Sequence, residues 1–235
     1  MCLTGLRAVL HNVVAPLVVL VMLLFLNSAT ADRTVVIEHW TSQALGRRGI
    51  PFGWTGETFG RRAEFDFVIE QEADQRILHL RSRNEHSTIV KDITGTVSLK
   101  ETPILQWTWK VTMLPKGGDL RRKETTDIAA QLYVVWPRVP KFLGSRIIGY
   151  VWDGAAPAGA IVPSQKTGTI TFIVIQSGSE NLGTWVTERR NVYEDYERIF
   201  HEPPDQPRAI TLSIDSNDTH SEAESFIGPV MFRAP

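Results

Sequence analysis

Residues 104–112, ILQWTWKVT, alternate without a break: Leu105, Trp107, Trp109 and Val111 take one side, Gln106, Thr108 and Lys110 the other. Successive side chains of a strand point to opposite faces, so this pattern predicts a strand with one face buried. Related patterns predict strands at Phe65, Phe67 and Ile69, and over residues 77–80, 130–136, 147–152, 170–175, 210–214 and 226–232. Turn residues separate nearly all of them, and no rhythm of intervening helices suggests βαβ units. The expectation is an all-β fold: a two-sheet antiparallel sandwich of the jelly-roll, galactose-binding-like kind.

One short helix interrupts the strands. Asn191 can cap it, Glu194 completes a capping box three residues later, and Val192, Tyr193, Tyr196, Ile199 and Phe200 form one apolar stripe. The segment HEPPDQP, residues 201–207, ends it. Residues 116–126 and 155–168 are rich in Gly, Pro, Lys and Arg and read as surface loops of the kind that rim a binding face. With no internal repeat or linker in evidence along the rest, residues 32–235 are expected to form a single domain.

The N-terminus changes the picture of where this domain works. Arg7 precedes an apolar run over residues 13–26, and Ser28, Ala29, Thr30 and Ala31 follow as a small-residue cleavage site. The run contains Pro16 and is shorter than the roughly 20 apolar residues that span a bilayer, so residues 1–31 are read as a secretory signal peptide. A periplasmic or secreted location follows as the expectation. Cys2, the only cysteine, precedes the apolar run where a lipidated one would follow it, and it departs with the leader. The processed chain would then have no disulfide, no thiolate nucleophile and no cysteine metal ligand. It would carry 24 basic and 26 acidic residues, a formal charge of −2 on 204 residues, a balance that indicates neither nucleic acid nor an anionic membrane as partner.

The region from Glu188 to Thr219 gathers charged and aromatic residues around the helix and an acidic strand end. Arg190, Asn191 and Asp195 lie at the helix start, where an arginine fork suits a carboxylate or sulfate; surface pairing with neighbouring acids is the plainer reading. Asp215, Asn217 and Asp218 offer oxygen ligands that suit calcium, although Asp and Asn are also the residues a turn prefers. Among seven tryptophans, Trp54 and Trp152 neighbour loops and polar groups and are the candidate platforms for a sugar ring. Asp127 joins the candidate ligand-binding set, and Asp127, Asp153 and Glu188 are the acids available for paired-carboxylate glycan chemistry. No HxxxH pair, GxSxG elbow, Walker loop or GxGxxG motif is present, which removes the usual signs of zinc hydrolases, serine hydrolases, nucleoside triphosphatases and dinucleotide oxidoreductases.

WTWKV, DIAAQLYVVW, YVWD, RNVYEDY and SIDSNDT occur in that order. In this the chain resembles the bacterial domain-of-unknown-function family numbered 3047, over residues 36–232. The resemblance implies an exported bacterial protein and brings no established activity with it. The chain departs from the family pattern in two respects: Thr126 and Asp127 stand where it tends to have paired Asp, and Gln131 where it tends to have Arg. Taken together, the residues point to a non-catalytic binding module for a carbohydrate or other polar envelope ligand. The alternatives are a glycan hydrolase or lyase using paired carboxylates, and a partner-binding subunit of an envelope assembly.

Overall fold

A computed structural model describes residues 33–58, 60, 63–138 and 144–235, so the expected leader lies outside the described residues. Among the described residues, thirteen strands form two sheets. In sheet A, β11 (Val186–Asn191), β6 (Ile104–Met113), β13 (Glu222–Arg233), β4 (Gln75–Arg83) and β3 (Asp66–Glu72) lie side by side, and β1 (Thr34–Glu38) also pairs with β13. In sheet B the order is β2 (Thr55–Glu57), β5 (His86–Asp92), β12 (Ala209–Asp215), β7 (Ala130–Trp136), β8 (Arg146–Asp153), β10 (Ile170–Ser177) and β9 (Ile161–Pro163). This is a jelly-roll sandwich. One pair departs from the antiparallel rule: β8 and β10 run parallel, joined by the long crossover that carries β9.

The alternation in β6 does what its pattern predicts. Leu105, Trp107, Trp109 and Val111 are fully buried between the sheets. Trp107 meets Trp109 edge-on at 5.2 Å and Tyr150 of β8 at 5.4 Å, and Trp109 packs on Trp152 at 6.1 Å, so one aromatic seam crosses from sheet to sheet. Each such pair contributes about 0.5–1.5 kcal/mol beyond the area it buries.

β13 is the axis of sheet A. Residues 224–233 pair with β6, while on the other side residues 222–227 pair with β4 and residues 230–233 with β1. The change of partner falls at Gly228 and Pro229, where the ladder shifts register. A proline lacks the ladder donor and sits well in a bulge. Gly228 is required there by close approach, since a Cβ would lie 2.1 Å from Thr108 Oγ1 and 2.7 Å from Gln75 Nε2.

Helix α1 (Val192–Phe200) continues directly from β11. Asn191 Oδ1 accepts from the Glu194 N–H at 3.3 Å, the cap the sequence predicts, while the Glu194 carboxylate accepts from Asn191 Nδ2 at 2.7 Å and not from the backbone N–H of a capping box. His201 ends the helix in the left-handed conformation, its N–H donating to Glu197 O. Among the described residues, no helix is long and apolar enough to cross a membrane.

Candidate functional site

The register of sheet A builds a row of side chains across its outer face. Phe226 of β13 stands opposite Lys110 of β6 and His79 of β4, and Trp185 lies one residue ahead of the Val186 that pairs with Trp109. The four side chains touch in sequence. Lys110 Nζ lies 5.0 Å from the Trp185 ring centroid and 4.4 Å from that of Phe226, and the His79 ring stacks on Phe226 at 4.1 Å. Both aromatic rings are half-buried, each keeping part of its surface in solvent.

Carboxylates line this row. Glu72 accepts from Lys110 Nζ at 2.6 Å and from the Trp185 indole N–H at 2.9 Å, and these bonds hold its carboxyl below the ordinary glutamate range. His79 lies between Glu70, 2.9 Å from Nδ1, and Glu224, 2.8 Å from Nε2. Partial burial would raise the Glu224 carboxyl, but the Thr112 hydroxyl and His79 outweigh it and leave the group lowered. Arg81 forks onto Asp66 at 2.8 and 3.0 Å. Glu70 and Glu72 keep about two-fifths of their side-chain surface in solvent, 41% and 42%. Aromatic faces beside exposed acceptors and an amine make a surface that suits a polyol, whose C–H face stacks while its hydroxyls donate and accept.

The outer face of sheet B is organised differently. Loops 115–128 and 154–164 fold down onto it, and Leu120, Ile128, Tyr133, Val151, Ala156, Phe172 and Val174 form a second apolar cluster beneath them. Asp153 ties the two loops together. It is fully buried and accepts three backbone N–H bonds, from Leu120 at 3.1 Å, Ala155 at 2.8 Å and Ala156 at 2.6 Å. Burial pushes its carboxyl up; the three bonds oppose that and do not cancel it.

Beyond the loops runs a polar strip. His86 Nδ1 lies 3.1 Å from Asp215 Oδ2, His86 Nε2 lies 2.8 Å from Thr88 Oγ1, and Thr88 Oγ1 lies 2.7 Å from Ser213 Oγ. A hydroxyl, an imidazole and a carboxylate in line have the outline of a nucleophile with its base. Burial decides otherwise. Ser213 Oγ also lies 3.3 Å from the Ser87 carbonyl, and Thr88 and Ser213 are 3% and 2% exposed, so neither hydroxyl is open to a substrate. This strip fastens β5 to β12.

The residues singled out by sequence lie in several places. Trp54 is buried, stacks on Trp40 at 5.7 Å and donates its indole N–H to Glu38 at 3.0 Å. Trp152 is fully buried and donates to Gly178 O at 3.1 Å, so neither ring presents a face to solvent. Arg190 and Asp195 do meet: the guanidinium forks onto the carboxylate, with Arg190 Nε at 2.9 Å, and Tyr150 also donates to Asp195. Asn191 is spent on its cap. Asp127 accepts from the N–H groups of Asp218 and Thr219 and from the Thr219 hydroxyl; burial and then the nearby charge of Asp215 raise its carboxyl. Asp215 accepts from the Ile128 N–H at 2.6 Å and from Gln131 at 3.2 Å, and Asp218 pairs with Lys166. Asn217 Oδ1 is buried without a partner. Glu188 accepts from Gln176 and Trp109. Among the described residues, no three His, Cys, Asp or Glu side chains converge as metal ligands.

The row on sheet A was not singled out. Its signal is present in QRILHLRSR and ESFIGPVMF, whose outward positions include His79, Arg81, Glu224 and Phe226. Only the pairing of β4, β13 and β6 places them beside Lys110 and Trp185.

The sequence profile of the protein of unknown function DUF3047 matches residues 52–231. The chain belongs to the DUF3047 family. No curated protein matches it. Among solved structures, this DUF3047 member is similar to the family 11 carbohydrate-binding module of a cellulosomal cellulase of Clostridium thermocellum, with 8% identity, a TM-score of 0.44, and 88% of this chain and 97% of that one covered. A CBM22-1 xylan-binding domain from Paenibacillus barcinonensis is similar at 14% identity and a TM-score of 0.38, with 82% and 92% covered. The K3 cleaved adhesin domain of Lys-gingipain from Porphyromonas gingivalis is similar at 12% identity and a TM-score of 0.38, with 85% and 98% covered. Likenesses this remote assign the DUF3047 member neither a ligand nor an activity.

Proposed function

We propose that this DUF3047 member is an exported, non-catalytic binding module for a carbohydrate, with the outer face of sheet A as its ligand surface. The observation that carries the reading is the unbroken row Trp185, Lys110, Phe226 and His79, flanked by the half-exposed carboxylates Glu70 and Glu72. The aromatic rings supply stacking area and the polar side chains supply directional bonds. Residues 1–31 support export, because a short apolar run behind Arg7 and ahead of small residues is what a leader peptidase removes.

The test is calorimetric titration of residues 32–235 with neutral oligosaccharides, with calcium added in a separate series. Binding of a saccharide that Trp185→Ala and Phe226→Ala each weaken by about tenfold, with unchanged circular dichroism, is the expected result. If no oligosaccharide binds, or if both variants bind as tightly as the parent, the face is not a saccharide site. N-terminal sequencing of the protein recovered from the periplasm or medium tests export, with Asp32 as the expected first residue.

A further inference from the structure

The turn that follows α1 and the end of β7 enclose a cavity of about 360 Å³ that the sheet A face does not touch. Pro137 gives it an apolar flank over the buried Trp136 and Pro207, Gly95 leaves one side free of any side chain, and Arg138, Asp205 and Arg208 carry its charges. The walls are fixed by main-chain bonds. The Trp136 indole donates to Asp205 O at 2.8 Å, the Arg208 N–H donates to Val135 O at 2.9 Å, and Arg208 O accepts from the Ile93 N–H at 2.9 Å.

The two guanidiniums have bonding capacity left over. Among the described residues, every hydrogen bond from the Arg138 side chain leaves through one nitrogen, Nη2, which is shared at 3.1–3.3 Å among Tyr196, Glu202 and Asp205. Arg138 Nε is buried with no partner. Arg208 is exposed, and its guanidinium makes no hydrogen bond or ion pair with the described residues; its charge acts on Asp92 only through space. Arginine presents planar pairs of N–H donors that match a carboxylate.

From this geometry we propose that the cavity is a second binding site, specific for a sugar ring bearing a single carboxylate, that is, a uronic acid. Three features select that class. The volume lies at the lower end of small-molecule sites and admits one ring rather than a chain. Pro137 offers a partly exposed apolar flank, and Asp205 and Gln206 exchange hydrogen bonds with hydroxyls. Two arginines and one aspartate give the lining a net charge of +1, which complements a monoanion and disfavours a phosphate dianion facing Asp205.

The experiment is titration of residues 32–235 with glucuronate and galacturonate, against glucose, acetate and inorganic phosphate as controls. One of the two uronates binds, glucose and acetate bind at least about tenfold more weakly, and Arg208→Gln lowers uronate affinity by about tenfold or more. The Arg208 side chain is exposed, so that variant folds; an unchanged melting temperature verifies it. Trp185→Ala keeps full uronate affinity, which separates this site from the sheet A face whatever the fate of the oligosaccharide reading. Glucose binding as tightly as uronate, phosphate competing on equal terms, uronate affinity surviving in Arg208→Gln, or the absence of uronate binding would each overturn the proposal.

Discussion

Tyr150 and Asp195 close one edge of the sandwich: the phenol on the inner face of sheet B donates to the helix carboxylate at 3.0 Å. Arg190 forks onto the same carboxylate from β11, so a single buried acid ties together both sheets and α1. Asp195→Ala leaves the half-buried Arg190 charge and the buried phenol without their partner. Urea denaturation should show a loss of about 3 kcal/mol, toward the low end for a broken buried pair because Arg190 keeps some contact with water. Asp195→Asn retains an acceptor for Tyr150 and should lose less.

Tryptophans on the two sides of the fold should respond in opposite ways. Trp152→Ala opens a cavity in the aromatic seam and should cost about 3–5 kcal/mol. Trp185→Ala removes a half-buried ring and one hydrogen bond to Glu72, and should cost less than half of that while losing saccharide affinity. A melting curve paired with a titration for each variant separates the two roles.

Gly228→Ala tests the crowding at the bulge. The new methyl would sit 2.1 Å from Thr108 Oγ1, so Thr108 and Gln75 must both move. The expected loss is about 1–3 kcal/mol, read as a lowered melting temperature with an unchanged far-ultraviolet spectrum.

Two buried acids give opposite pH dependences. Burial alone would raise Glu38, but bonds from Lys91, Trp54 and the Trp40 N–H outweigh it and hold the carboxyl below its ordinary value of 4.5. Its contribution is therefore present above that value and lost as pH falls through the lowered folded pKa. For Asp153, burial holds the carboxyl above its ordinary 3.8, so its contribution is full below that value and declines as pH rises through the raised folded pKa. In urea melts from pH 3 to pH 7, the deficit of Glu38→Gln should widen toward neutral pH and that of Asp153→Asn should narrow. Parallel trends for the two variants would refute the assignment.

Strands with a strict inside and outside were legible in the sequence. In β6 every second residue is buried, and the cap at Asn191 and Glu194 names its own helix. β5 escaped notice because HSTIVKD places Thr88 and Val90 on its outer face with Ile89 as the inner apolar residue, which leaves no two-residue alternation to read. Trp54 and Trp152 drew attention for their polar surroundings, yet those polar groups are the partners of their own indole N–H bonds. The loops at 115–128 and 154–164 read as open rims; Leu120 and Ala156 within them are fully buried, a fact set by the sheet beneath and not by their own composition. The row on sheet A needs three strands and one flanking residue in register, and no single segment of sequence encodes it.

The strand at the axis of sheet A is the last in chain order. Until β13 inserts, β6 has no neighbour on that side and β4 and β1 have none in common, so the ladders on which sheet A depends form only once residues 222–233 are available. A ribosome-bound fragment ending before Glu222 therefore lacks the means to complete this sheet, and its apolar inner residues remain open to chaperones. Closure of this kind depends on contacts distant in sequence, which makes the sheet slow to complete.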